Sequence, residues 1–305
     1  MKKLLWGLWL VLLFLNTACT SSSDQDGSTF RVVATTGMLG DLVKIIGGDS
    51  IEVLSLMGPG VDPHLYKATQ GDLQRLQKAD LIVYNGLHLE GKMGEILEKL
   101  AQLKKVYALG EGIDQQTLLQ DPIYPDNFDP HIWFDVSIWA ASIDGLLKVL
   151  SEASPTNAAY FSSNAQTYRE ELESLHTWVK TEIENIPAEK RILVTAHDAF
   201  NYFGRAYGME VKGLQGISTL SEFGLKDRVD LVNFLTEKEI KAVFVETSVS
   251  EKNINSIVEG CRQKGHNIEI GGQLFSDAMG PAGTPEGNYL GMVRANVNTI
   301  VGALK

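Results

Sequence analysis

Three histidines and one aspartate stand where side chains could take hold of a metal ion. His64 closes the run Gly60-Val61-Asp62-Pro63-His64, and His131 lies in Asp129-Pro130-His131-Ile132-Trp133-Phe134-Asp135. His197 lies in Val194-Thr195-Ala196-His197-Asp198, and Asp277 ends Leu274-Phe275-Ser276-Asp277. Imidazole nitrogens with one carboxylate suit zinc and other first-row divalent ions, whereas calcium and magnesium take oxygen shells. A proline before His64 and before His131 stiffens the backbone that presents each ring. The intervals of 67, 66 and 80 residues fit no zinc finger and no helix-borne pair, so the site needs the finished fold.

The remaining candidates read differently. Glu246 ends the apolar run Val243-Phe244-Val245, where its carboxylate can accept the second ring nitrogen of a metal-bound histidine. Capping or simple surface exposure competes with that role. His88, in Asn85-Gly86-Leu87-His88-Leu89-Glu90, is a supporting or structural group. His176 has charged neighbours and is expected in solvent; His266 follows Gly265 and is expected in a surface turn. No catalytic residue is assigned, because four protein ligands leave little room for an activated water. A zinc hydrolase is the enzyme alternative; it would need three ligands, an open position and a base such as Glu246, and no His-Glu-x-x-His motif supports it.

The elements that must position these residues alternate. Strands are expected at Arg31–Thr35, Ile51–Leu56, Leu81–Tyr84 and Lys105–Tyr107, with helices near Met38–Ile46, Thr69–Lys78 and Lys92–Leu103. A loop rich in Asp and Pro then runs to Asp129. The grammar repeats with strands at Arg191–Thr195, Glu210–Leu214, Ala242–Val245 and Asn267–Ile270 and helices at Asp198–Tyr207, Lys226–Glu237 and Asn253–Lys264. Such alternation implies right-handed parallel crossovers. The fold class is therefore α/β: two pseudo-symmetric lobes, each a parallel sheet flanked by helices. All four candidate ligands fall where loops leave the carboxyl ends of strands, the usual binding crevice of open α/β sheets.

One long helix joins the lobes. Ser154 can cap it, Pro155 suits its first position and Pro187 stops it, giving 32 residues from Pro155 to Ile186 and a length of about 48 Å. A strut of that size predicts small lobe motions. At 305 residues the chain has room for two lobes with separate cores. The expected boundaries are 30–153 for the first lobe, 154–187 for the connecting helix and 188–305 for the second.

The N-terminus reads as a targeting segment. Lys2 and Lys3 precede the apolar run Leu4–Leu15, which is too short to span a bilayer and fits a signal peptide over residues 1–18. Thr17-Ala18-Cys19 and the polar stretch after it resemble a bacterial lipobox, although Asn16 stands where that motif prefers Leu. Cys19 would carry lipid, residues 19–29 would be a tether, and the protein would be extracytoplasmic. Cys261 is then left without a disulfide partner and is expected to be a small buried apolar residue. A formal charge of −11 argues against nucleic acid; hydrophobic content of 44% and charged content of 21% argue against disorder.

At these residues the sequence resembles the metal-binding receptors of bacterial ABC importers, the TroA/PsaA/ZnuA-like family, and its motifs are most TroA-like. The resemblance rests on Gly60–His64, Asp129–Asp135, Thr195–Phe200 and Gly271–Gly280, with Lys212-Gly213-Leu214-Gln215-Gly216 and Gly287-Asn288-Tyr289-Leu290-Gly291-Met292. It implies a monomeric binding protein that holds one Zn2+ or Mn2+ as transported substrate in the interlobe cleft and delivers it to a membrane permease. The implied ligands are His64, His131, His197 and Asp277. Family members that prefer manganese often carry Glu at the third position, where this chain has His197. The His-rich acidic loop of many zinc receptors is missing, because residues Gly112–Phe128 contain no His. Relatives described as adhesins make cell attachment a secondary reading.

Overall fold

The computed structural model describes residues 29–221 and 224–305. The expected signal peptide and all of the tether but its last residue, Cys19 included, lie outside the described residues.

The first half is one parallel sheet with helices packed on it. β1 (Phe30–Ala34), α1 (Gly37–Gly47), β2 (Ile51–Ser55), α2 (Gln70–Lys78), β3 (Leu81–Tyr84), α3 (Gly94–Ala101) and β4 (Lys105–Ala108) follow in order. The sheet order is β2-β1-β3-β4, with Val33 opposite Leu54 on one side and Ile82 on the other. Consecutive Val32, Val33 and Ala34 are all buried, as a parallel strand covered on both faces requires. Thr36 caps α1 by accepting from Leu39 N–H, and Thr69 and Asp72 form a reciprocal capping box on α2.

Helices α4 (Val136–Ala153) and α5 (Ala158–Glu184) come next. The second half then runs β5 (Ile192–His197), α6 (Asn201–Tyr207), β6 (Glu210–Gln215), α7 (Leu225–Glu237), β7 (Ala242–Glu246), α8 (Lys252–Gln263), β8 (Glu269–Leu274) and α9 (Tyr289–Leu304). Parallel ladders join β5 to β6 and β7 to β8, and β5 runs beside β7. The spatial order β6-β5-β7-β8 thus repeats the order of the first half. Gly208, at φ 71°, ends α6 in the left-handed conformation that only glycine adopts freely.

The long helix is 27 residues, about 40 Å, and starts later than expected because Pro155–Asn157 form a separate 3-10 turn. Two further helices were not expected from the sequence. In α4 the residues Val136, Trp139, Ile143, Leu146 and Leu150 recur at helical spacing on one buried face, and Asp135 caps it. In α9 the apolar positions are diluted by Gly291, Gly302 and the buried Asn296. These helices also change the core. Its largest apolar cluster runs through both halves, from Val32 and Leu81 through the α5 stripe of Phe161, Leu172 and Val179 to Phe244 and Tyr289. Separate cores were expected; instead α5 packs against α1, α4 and α9, and each half keeps only a smaller cluster of its own.

Candidate metal centre

His64 sits in the loop after β2, in a turn closed by its own neighbour. Asp62 Oδ1 accepts the His64 backbone N–H at 2.8 Å, the Asx turn that Asp-Pro-His favours. Asp129 does the same for His131 at 2.9 Å. There the same oxygen also meets His131 Nδ1, at 2.8 Å. Asn201 donates to Asp129 Oδ2, the Tyr202 hydroxyl donates to the Asp129 carbonyl, and Asn85 donates to the Pro130 carbonyl. Trp133 packs edge-on against the His131 ring and donates its indole N–H to the Ser276 carbonyl, next to Asp277.

His197 is the last residue of β5. Glu246, the last residue of the neighbouring β7, accepts its backbone N–H at 2.8 Å and meets its Nδ1 at 2.5 Å. Asp277 follows β8, where Asn296 of α9 both donates to and accepts from the backbone of Phe275.

These four side chains are buried and converge. One donor atom from each lies within 4.8 Å of every other. His197 Nε2 is 3.3 Å from His131 Nε2 and 3.3 Å from Asp277 Oδ2. Asp277 Oδ1 is 3.5 Å from His131 Nε2, and Asp277 Oδ2 is 3.9 Å from His64 Nε2. A tetrahedral ion with bonds of about 2.0–2.1 Å has ligand–ligand edges of about 3.3–3.4 Å. The separations among His131, His197 and Asp277 fit such an ion, and His64 Nε2, 3.9 Å from Asp277, stands somewhat farther out.

The protonation pattern points the same way. Asp129 and Glu246 occupy Nδ1 of His131 and His197, which leaves Nε2 of each ring, once its proton is displaced, to bind an ion. His64 Nε2 and both Asp277 oxygens are buried without a hydrogen bond, a costly arrangement that a bound ion would relieve. With only protons available, burial opposes charge on His131, yet Asp129 and Asp277 push it up to about 9. For His197 burial is likewise outweighed by Asp277 and Glu246, which raise it well above the ordinary range. Burial disfavours the Asp277 anion too, but His197 and His131 hold the carboxyl well below its ordinary value. His64 has no carboxylate partner that overcomes burial and falls to about 3.

The other histidines lie outside the cluster. His88 is exposed, on left-handed backbone at φ 64°. His176, expected in solvent, is half-buried, with Nδ1 3.1 Å from the Tyr207 hydroxyl, because α6 packs on α5 there. His266 is partly buried, with Nε2 2.6 Å from the Ile240 carbonyl. Cys261 is free and buried. The sequence reading assigned no role to Asp129 or Asp62; the doubled Asp-Pro-His was the available signal.

Comparison with known proteins adds the family. The family model described as "Zinc-uptake complex component A periplasmic" (ZnuA) matches residues 32–303. The chain belongs to the ZnuA family. Members of the ZnuA family are solute-binding components of metal transport, not enzymes. The manganese-binding lipoprotein MntA of Bacillus subtilis is 51% identical over 304 residues, covering 98% of this chain and 99% of MntA. The manganese ABC transporter substrate-binding lipoprotein PsaA of Streptococcus mitis is 31% identical, covering 100% of this chain and 99% of its own. The structure of the periplasmic zinc-binding protein TroA from Treponema pallidum superposes with a TM-score of 0.88 at 47% identity, covering 91% of this chain and 99% of TroA.

Proposed function

We propose that this protein is the extracytoplasmic receptor of an ABC importer, taking up one Zn2+ or Mn2+ as cargo and handing it to a membrane permease. His64, His131, His197 and Asp277 are its four ligands, and Glu246 and Asp129 orient two of the rings. Residues 30–153 and 188–305 act as two lobes about the helix of 154–187, with the ion between them. Cys19 carries a lipid anchor and the receptor works as a monomer. Lipoprotein relatives matched over almost their full length support the anchor.

The observation that carries this reading is the pair of imidazole Nε2 atoms 3.3 Å apart, each with its other nitrogen on a carboxylate. Three nitrogens and one oxygen at these separations favour zinc. Both Asp277 oxygens lack a hydrogen-bond partner, so a two-oxygen grip that serves manganese is also open to it. Titration of metal-free protein with zinc against a competing chelator tests the assignment. One equivalent is expected to bind, and His64→Ala or His131→Ala to lose most of the affinity with the fold retained. Equal binding by the wild type and both variants would refute it. His197→Glu is expected to shift relative affinity toward manganese, and an unchanged ratio counts against a ligand role for His197.

A further inference from the structure

His64 is held differently from the other two histidines, and what holds it lies on the far side of the cleft. No described residue hydrogen-bonds its ring, and Nε2 is buried without a partner. Its position rests on its backbone, whose N–H is bound by Asp62 Oδ1. The other oxygen of that carboxylate, Oδ2, accepts the hydroxyl of Thr219 at 2.7 Å, from a residue 157 positions away in the second half. Thr219 belongs to a tight turn, in which Ser221 N–H bonds the Ser218 carbonyl and Leu220 N–H bonds the Ser218 hydroxyl. The next side chain crosses with it. Leu220 Cδ1 lies 3.7 Å from where a Cβ on Gly91 would stand, and the His64 carbonyl is 3.8 Å from the same point. The turn of the second half therefore touches the His64 loop at the Asp62 carboxylate, and Leu220 reaches the neighbourhood of Gly91 beside it.

We infer that Asp62 and Thr219 form a clasp across the cleft that positions His64 and sets how long the ion stays. While the halves are together, one carboxylate serves both the ligand's backbone and the opposite turn. When Thr219 withdraws, the His64 loop keeps only its local turn, and a ring without hydrogen bonds of its own is the first ligand to leave. Asp62 and Thr219 are positioning residues that touch no metal. The inference rests on His64 being a ligand, as proposed above.

The test uses the folded protein loaded with zinc and mixed rapidly with excess chromophoric chelator. Thr219→Val removes the hydroxyl and is expected to speed zinc loss about tenfold, as for a hydrogen bond to a charged group. Thr219→Ser keeps the hydroxyl and is expected to release zinc at the wild-type rate. If the valine variant does not fold, Thr219→Ala gives the same comparison without the added methyl. Hydrogen exchange at the His64 backbone N–H of the zinc-loaded protein is expected to quicken in the valine or alanine variant and not in the serine one. Stoichiometric zinc binding with an unchanged release rate in the valine or alanine variant would overturn the clasp alone. A serine variant as fast as valine would also overturn it, since the hydroxyl would not be the cause. Failure of the wild type to hold zinc would overturn the ligand assignment and the clasp with it.

Discussion

The two Asp-Pro-His turns of this protein share a sequence and differ in what their aspartates hold. Asp129 keeps one oxygen on both the backbone and the ring of His131, and Asn201 occupies its other oxygen. Asp62 holds only the backbone of His64 and spends its second oxygen on Thr219 in the opposite half. The electrostatics follow. A carboxylate on Nδ1 helps push His131 up to about 9, whereas His64, whose ring meets only Asp277 at 3.9 Å, is driven by burial down to about 3. The same tripeptide thus holds one histidine by both ring and backbone and the other by its backbone alone, and on the proposed assignment only the first ligand is oriented at its ring in advance.

The comparison can be broken at several points. His131→Ala should have the largest effect, lowering zinc affinity by more than the roughly 100-fold upper range for loss of a supporting group. His64→Ala should cost less, since His64 brings no carboxylate with it; competitive titration measures both, and equal losses would erase the distinction. Asp129→Asn keeps an acceptor for the backbone turn but removes the anionic partner of Nδ1. A loss of about 10- to 100-fold in zinc affinity is expected, with the melting curve little changed.

The pH dependence follows from the same carboxylate. Because His131 titrates at about 9 in the metal-free protein, zinc must displace its proton at neutral pH. Affinity should therefore fall as pH is lowered below about 9, by about tenfold per unit for each proton displaced. Calorimetry in buffers of different ionisation heat counts those protons, and Asp129→Asn should release fewer. Asp62→Asn should have the smallest effect on affinity, at most about tenfold, expressed in the release rate because Asp62 does not touch the ring.

Much of this was legible in the sequence because it depends on local pattern. Apolar runs such as Leu81–Tyr84, bounded by polar residues and turn signals, read as buried strands, and histidines near strand ends, such as His64 after β2 and His197 ending β5, point to the sheet edge where loops meet. What escaped was contact between distant segments. Asp129 and Asp62 carry the same motif, and nothing local says that one faces its own ring and the other a threonine 157 residues on. Glu246 was a candidate only because β7 ends there; its grip on His197 arises from β5 and β7 lying side by side. Helix α4 was missed although Val136, Trp139, Ile143, Leu146 and Leu150 keep helical spacing, while α9 was hidden by glycines and by an asparagine buried to clamp Phe275. The continuous core is a consequence of those two helices.

The central claim is that four buried groups from distant parts of the chain enclose one ion. Anomalous diffraction at the zinc edge, from crystals of the protein loaded with one equivalent of zinc, addresses it directly. The account predicts a single peak about 2.0–2.2 Å from Nε2 of His64, His131 and His197 and from an oxygen of Asp277. A peak elsewhere, or one bound mainly by water, would contradict it.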